Sequence, residues 1–169
     1  MILTMPQAEG ETYFPVEVET AAFTMKATPA AFSATVDNMY TDRIGSPPRE
    51  YLANAVDAHR KINSTEPFDV HAPTILEPFF EVRDYGPGMS REEILDRYRS
   101  LFSSDKSVTN DYIGGFGIGS KAFLTYCSLA QLESIQNGIS TSYSVSRRSG
   151  ELPQLTVLKS AGTSKPDGF

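Results

Sequence analysis

The sequence lacks the features that mark secreted, membrane-spanning or nucleic-acid-binding proteins. It contains one cysteine, Cys127, which excludes an internal disulfide and a cysteine metal cluster and fits a reducing compartment. No apolar run is long enough to span a bilayer, and the first residues lack the basic, apolar pattern of a signal peptide. The net charge of -6 argues against nonspecific nucleic-acid binding. We therefore expect a cytoplasmic protein.

The 169 residues, 40% of them hydrophobic, predict a single globular domain with a substantial core. The abrupt ending suggests the N-terminal fragment of a longer protein. Helical patterns alternate with short runs of strand type, and the last three strands predict an antiparallel meander. The predicted helices are 28–40, 48–62, 90–98 and 120–127, and the predicted strands are 13–19, 21–27, 68–73, 79–84 and three runs between 129 and 160.

The helix predicted over 48–62 carries a narrow polar stripe. Glu50, Asn54 and Asp57 are spaced at i, i+4 and i+7, which places them on one face, with apolar residues and His59 on the other. A solvated helix face is the ordinary interpretation of such a stripe. However, the stripe has no lysine or arginine partners, and Ala53 and Ala58 beside it leave room for a ligand.

The predicted strand 79–84 ends directly in the segment DYGPGMS. A carboxylate at a strand end followed by Gly86 and Gly88 is typical of a binding loop, although a plain Asp-Gly turn would have the same composition. Ser90 and Glu93 then predict a capping box, in which each residue caps the first turn of the next helix.

Three alternating glycines in GGFGIGSKAF, followed by Lys121, suggest a phosphate-binding segment. A P-loop is disfavoured because Ser120 precedes the lysine and a polar segment, rather than a buried strand, comes before the glycines. A Rossmann motif is disfavoured because its strand and its ribose-binding acid are absent. The polar, serine-rich run 100–112 is predicted to be a mobile flap that ends at the glycines.

Taken in order, these three motifs resemble the GHKL ATPase superfamily, which includes gyrase B, the large heat-shock chaperones, MutL, MORC proteins and histidine kinases. The segments REYLANAVDAHR, FFEVRDYGPGMS and FSSDKSVTNDYIGGFGIGSKAF are most similar to the N-terminal domain of the phage rIIA family of rapid-lysis proteins. The resemblance implies an α+β fold of the Bergerat type. It would be a two-layer sandwich with a mixed, mostly antiparallel sheet and helices on one face.

The resemblance also implies how this chain would bind the base of ATP. Asp84 would accept a hydrogen bond from the adenine amino group, and Gly86 and Gly88 would let the backbone approach the base. Met89 would pack on the base, and Asp57 would support the adenine side through water or a backbone contact. Thr163, in the Gly162-Thr163 pair, is one candidate for the last adenine contact; the alternative is Gly168-Phe169.

On the phosphate side, the resemblance implies Mg²⁺ coordination by Asn54, and a general base, Glu50, that would activate water. Lys121, and Lys106 in the flap, would offset the negative charge of the γ-phosphate. The backbone that would wrap the phosphates is Gly115, Phe116, Gly117, Ile118 and Gly119.

Two functions follow from the resemblance. The first is a Mg-dependent ATPase, which Glu50 favours because histidine kinases generally lack an acid at that position. The second is a nucleotide-sensing interaction protein that binds ATP or ADP without significant turnover. The resemblance further implies nucleotide-dependent homodimerisation, a phage or host protein partner, and a role in lysis timing inside an infected cell.

Overall fold

A computed structural model of the chain describes residues 28–99 and 119–169. The predicted strands 13–19 and 21–27 and the predicted flap lie outside these ranges. The described part has an α+β architecture, as predicted. None of its helices is long and apolar enough to cross a membrane.

The elements of the described part are four helices and five strands. The helices are α1 (Pro29–Val36), α2 (Ser46–Lys61), α3 (Arg91–Arg99) and a 3-10 helix (Gly119–Thr125). The strands are β1 (Asp69–His71), β2 (Glu81–Arg83), β3 (Leu129–Gln136), β4 (Ile139–Ser146) and β5 (Gln154–Gly162).

Local sequence signals account for where the helices begin. The Thr28 hydroxyl caps α1 by accepting the Ala31 N–H at 3.2 Å, and prolines lie in the first turn of both α1 and α2. At α3 the predicted capping box is confirmed. The Ser90 N–H donates to the Glu93 carboxylate at 2.6 Å, and the Glu93 N–H donates to the Ser90 hydroxyl at 3.2 Å. The helix predicted over 120–127 is instead a short 3-10 helix.

The strands form two antiparallel sheets, β1-β2 and β3-β4-β5, and the second is the predicted meander. Asn137 and Gly138 form the two-residue turn between β3 and β4, and both have a positive φ, as this type of hairpin requires. Residues near the end of the chain join the two sheets. Gly168 pairs with Ile135 of β3, while the Phe169 carbonyl accepts the N–H of Asp84, which follows β2.

The hydrophobic core lies between the meander and the helices. Its buried members come from α1, the 3-10 helix and β4, and burying each of the larger side chains contributes about 1.5–3 kcal/mol. Arg147, which follows β4, also reaches α1, where its guanidinium donates to the Asp37 carboxylate at 3.0 Å and lies 5.0 Å from the Phe32 ring centroid. The core cluster consists of Phe32, Val36, Phe123, Leu124 and Val145.

Candidate nucleotide-binding site

Helix α2 contacts two glycine-containing segments, the loop after β2 and the start of the 3-10 helix. A Cβ built on Gly119 would lie 2.5 Å from Glu50 Oε2, so the start of the 3-10 helix sits directly against the Glu50 side chain. A Cβ built on Gly86 would lie 2.7 Å from the Ala58 Cβ, so the loop after β2 packs against α2 two turns further along. Real Cβ atoms do not approach so closely, so Gly86 needs glycine, while a side chain at position 119 would push the Glu50 carboxylate aside. The three motifs found in the sequence therefore meet on one helix.

Glu50 lies in a partly buried, polar environment. Its side chain is 21% exposed, and its Oε1 lies 3.9 Å from the guanidinium of Arg49. The Tyr40 hydroxyl donates a hydrogen bond to Glu50 from the segment after α1. Burial, the charge of Glu50 and this hydrogen bond raise the pKa of Tyr40 to about 12, which extends the pH range over which its hydroxyl can donate. The carboxylate is thus accessible from one side and oriented from the other.

The other two polar residues of the α2 stripe differ in exposure. Asn54 is partly buried, whereas Asp57 is only 1% exposed, with its Oδ1 3.7 Å from the Arg60 guanidinium. The expectation that the stripe lacks arginine partners is wrong, since Arg49 lies beside Glu50 and Arg60 beside Asp57. The expectation that the whole stripe faces away from the packed side of α2 is also wrong, for Asp57. The reason is that α2 packs against both the 3-10 helix and β2, which buries residues on more than one of its faces.

No group of three histidine, cysteine, aspartate or glutamate side chains that could hold a metal ion occurs within the two described ranges. Mg²⁺ usually keeps several water ligands and takes one or two protein oxygens together with substrate phosphates. The side-chain oxygen of Asn54, one helical turn after Glu50, is suited to be such a ligand.

Asp84 is a buried carboxylate at the end of β2, with 7% of the residue exposed. It accepts a hydrogen bond from the Gly86 N–H at 2.9 Å, and its own N–H donates to the Phe169 carbonyl at 2.9 Å. Burial raises the pKa of Asp84, and the hydrogen bond from the Gly86 N–H offsets part of that effect. A buried hydrogen-bond acceptor of this kind can distinguish a ligand that offers a donor from one that does not.

The loop after Asp84 is held against β3 by its backbone. The buried Ser134 hydroxyl accepts the Met89 N–H at 2.8 Å and donates to the Met89 carbonyl at 2.7 Å. Gly88 has φ +64°, and a Cβ there would lie 2.0 Å from the Ile135 carbonyl oxygen. Only glycine satisfies both the conformation and the close approach. Gly86, Gly88 and Met89 therefore follow Asp84 in a loop of fixed shape.

The two candidates for the last adenine contact lie in different surroundings. The Thr163 N–H donates to the Gly138 carbonyl in the β3-β4 turn, and its hydroxyl accepts the Lys165 N–H. Gly168 and Phe169, in contrast, lie beside Asp84, and a Cβ on Gly168 would be 2.1 Å from the Asp84 carbonyl oxygen. The geometry favours Gly168-Phe169 over Thr163 for that role.

Lys121 lies deeper than its predicted role at the phosphates suggests. It is 4% exposed, and its Nζ lies 5.5 Å from the centre of the Tyr98 ring. Burial, together with the nearby charge of Arg97, lowers the pKa of Lys121 to about 8. The remaining predicted phosphate-site residues, Lys106, Gly115, Phe116, Gly117 and Ile118, lie outside the described residues, and their roles stay predictions.

Several residues that shape the site carry no recognisable signal in the sequence. Tyr40 ends the helix predicted over 28–40 and lies after the end of α1 in the structure. Ser134 is one of many serines in the meander, and His59 is a single histidine on the packed face of α2. Each acts through a contact with a segment distant in the chain. Spacing along the sequence does not encode such contacts.

The geometry agrees with a comparison against protein families. Residues 49–162 match the family model described as histidine kinase-, DNA gyrase B-, and HSP90-like ATPase. The chain belongs to this family. The match contains all three motifs that meet on α2, and membership implies ATP binding. A search of curated proteins found no significant match.

Proposed function

We propose that this member of the family binds Mg·ATP and hydrolyses it, with Glu50 as the general base. The observation that carries the proposal is the contact of Gly119 with Glu50, because it brings the glycine segment expected at the phosphates to the one acid on α2 that is partly exposed. A carboxylate there is suited to orient water and accept its proton as the γ-phosphoryl group transfers.

The other residues divide between the two ends of the nucleotide. Asp84 accepts a hydrogen bond from the adenine amino group, in a loop shaped by Gly86, Gly88 and Met89. Asp57 supports the adenine end of the site. At the phosphates Asn54 offers an oxygen to Mg²⁺, which when bound neutralises phosphate charge. Backbone N–H groups of residues 115–119, with Lys106 and Lys121, stabilise the phosphates. Thr163 is the weaker candidate for a further adenine contact.

The second candidate function is nucleotide sensing without turnover. The depth of Lys121 favours it, because a buried lysine is a poorer partner for a solvated γ-phosphate than an exposed one. The biological setting that we propose is that of the phage rIIA family, in the cytoplasm of an infected cell. A flap closing over the nucleotide, homodimerisation and a phage or host partner belong to that setting. This proposed setting is supported by the sequence similarity of the three motif segments to that family.

Titration calorimetry and a phosphate-release assay on the wild type and Glu50→Gln test this proposal. We expect ATP to bind more tightly than GTP, because Asp84 selects an amino group, and to require Mg²⁺ for full affinity. At an ATP concentration of about 100 times Kd, binding should stabilise the fold by about 2.7 kcal/mol.

Glu50→Gln should keep the ATP affinity within about threefold and lower phosphate release by about 100-fold or more, the usual contribution of a general base. Glu151→Gln, a change at an exposed glutamate after β4, is the matched control and should leave both quantities unchanged. Unchanged phosphate release in Glu50→Gln would contradict the role of Glu50 as general base, and a wild type that releases no phosphate above the uncatalysed background would leave only the sensing function. A preference for GTP would contradict the role of Asp84.

A further inference from the structure

His59 is a buried histidine in the last turn of α2, to which neither the polar stripe nor the proposed function assigns a role. It is 5% exposed, and its ring packs edge-on against Phe68 at a centroid distance of 5.7 Å. Both ring nitrogens nevertheless have polar partners. Nε2 accepts the Tyr85 N–H at 2.9 Å, and Nδ1 lies 3.0 Å from the Glu66 carbonyl oxygen.

These two partners specify one form of the imidazole. A backbone N–H can only donate, so Nε2 carries no proton; a carbonyl oxygen can only accept, so Nδ1 carries one. The neutral ring with its proton on Nδ1 therefore satisfies both contacts. His59 connects the end of α2 to the peptide that joins Asp84 to Tyr85.

That peptide matters because Asp84 is held on both sides. The N–H of Asp84 donates to the Phe169 carbonyl, and the N–H of the next residue, Tyr85, donates to His59. The two peptide planes that flank Asp84 are thus both fixed, and together they set the direction of its Cα–Cβ bond. The Gly86 N–H then fixes the carboxylate itself.

We infer that His59 is a positioning residue for base recognition, holding the Asp84 carboxylate in the direction needed to accept a hydrogen bond from the exocyclic amino group of a purine. The inference rests on the proposed function, since it assigns Asp84 to the base. A hydrogen bond weakens steeply when its partners are misaligned, so releasing one flanking peptide lowers base selectivity. Contacts with the phosphates are unaffected.

Two conservative variants separate the contacts of the ring. Glutamine extends far enough to place an oxygen where Nε2 lies and can still accept the Tyr85 N–H, whereas asparagine reaches only the position of Nδ1 and keeps the contact with Glu66. The quantity to measure is the ratio of the affinities for ATP and ITP, because ITP carries an oxo group in place of the amino group. Inorganic tripolyphosphate reports on the phosphate side alone.

We expect His59→Gln to keep the ATP/ITP ratio within about threefold of the wild type. His59→Asn should lower the ratio about tenfold, equivalent to about 1.4 kcal/mol, with tripolyphosphate affinity unchanged in both. Each variant loses one buried hydrogen bond, so similar losses of thermal stability are expected. Equal ratios in the two variants, or a ratio that follows only their melting temperatures, would overturn the inference.

Nuclear magnetic resonance of the wild type keeps the inference testable if the variants fold poorly. A scalar coupling across the hydrogen bond between the Tyr85 amide and His59 Nε2 should be present, and both signals should shift more with ATP than with ITP. Signals that respond equally to the two nucleotides would overturn the inference. A wild type that binds neither ATP nor tripolyphosphate would instead refute the proposed function and remove the basis for this assignment.

Discussion

The loop of residues 84–90 and the Glu50 end of α2 belong to the same candidate site, but different kinds of contact hold them. The loop is fixed through its backbone, by Ser134, His59 and Phe169, each from another part of the chain. Glu50 is oriented by side chains, those of Tyr40 and Arg49, and by the absence of a side chain at Gly119. The half that would select the base is therefore the more rigidly built. The half that would do chemistry depends instead on contacts between side chains.

The sharpest test of this difference is Gly88→Ala, with Gly150→Ala as the matched control. Both glycines have a positive φ, +64° and +76°, but a Cβ on Gly88 would lie 2.0 Å from the Ile135 carbonyl oxygen, while one on Gly150 would meet nothing within 4 Å. We expect Gly150→Ala to cost about 1–2 kcal/mol from backbone conformation alone. Gly88→Ala should cost about 3 kcal/mol or more and abolish nucleotide binding.

Urea unfolding of the two variants measures both costs. If they are equal, the close approach of the loop to β3 contributes nothing to stability, and the loop is no more rigid than an ordinary turn.

A smaller effect is expected for Asp84→Asn. This variant should change the stability of the fold and the selectivity for the base in opposite directions. Because burial raises the pKa of Asp84, the native state binds more protons than the unfolded state between the ordinary and the raised value. The carboxylate therefore favours folding at low pH, and this contribution is lost as pH rises through the raised pKa. We expect the variant to be more stable than the wild type at pH 7, by on the order of 1 kcal/mol.

This gain in stability should shrink as pH falls toward the ordinary range of an aspartate. Thermal unfolding from pH 4 to pH 7 checks the trend, and the ATP/ITP affinity ratio should fall at the same time. A variant that is less stable than the wild type at pH 7 would mean that the hydrogen bonds to the carboxylate outweigh its burial.

The smallest effect concerns the other half of the site, at Lys121. With a pKa of about 8, this lysine loses its charge as pH rises above that value, and a bound phosphate would favour the charged form. ATP affinity should therefore fall about threefold between pH 7.5 and pH 9, and binding at pH 8.5 should take up protons. Calorimetry in two buffers of different ionisation enthalpy measures this uptake. Lys121→Met should remove it; an uptake that persists in the variant belongs to another group.

The elements of the fold were predictable where the signals are local. The Thr28 cap, the Ser90-Glu93 capping box and the three strands of the meander follow from residues within one turn or one hairpin. The 3-10 form of residues 119–125 was not predictable, because apolar spacing over seven residues does not distinguish it from an α-helix.

The site was predictable only in part, for a related reason. The motif residues Glu50, Asn54 and Asp84 stand out by type and spacing, but the contacts of Ser134, His59 and Phe169 link segments distant in the chain. Periodicity describes one face of one element. It therefore missed the burial of Asp57, which lies on a helix packed on more than one side.

The pairing of Gly168 with Ile135 and of Phe169 with Asp84 has a consequence for folding. These contacts span 33 and 85 positions of the chain, and such distant pairs form late because a long loop must first be closed. Helix α2 and the β3-β4 hairpin are local structures that can form early. The proposed base site would thus be complete only when the two sheets join, and the gain of nucleotide binding during refolding would report the last step of assembly rather than the first.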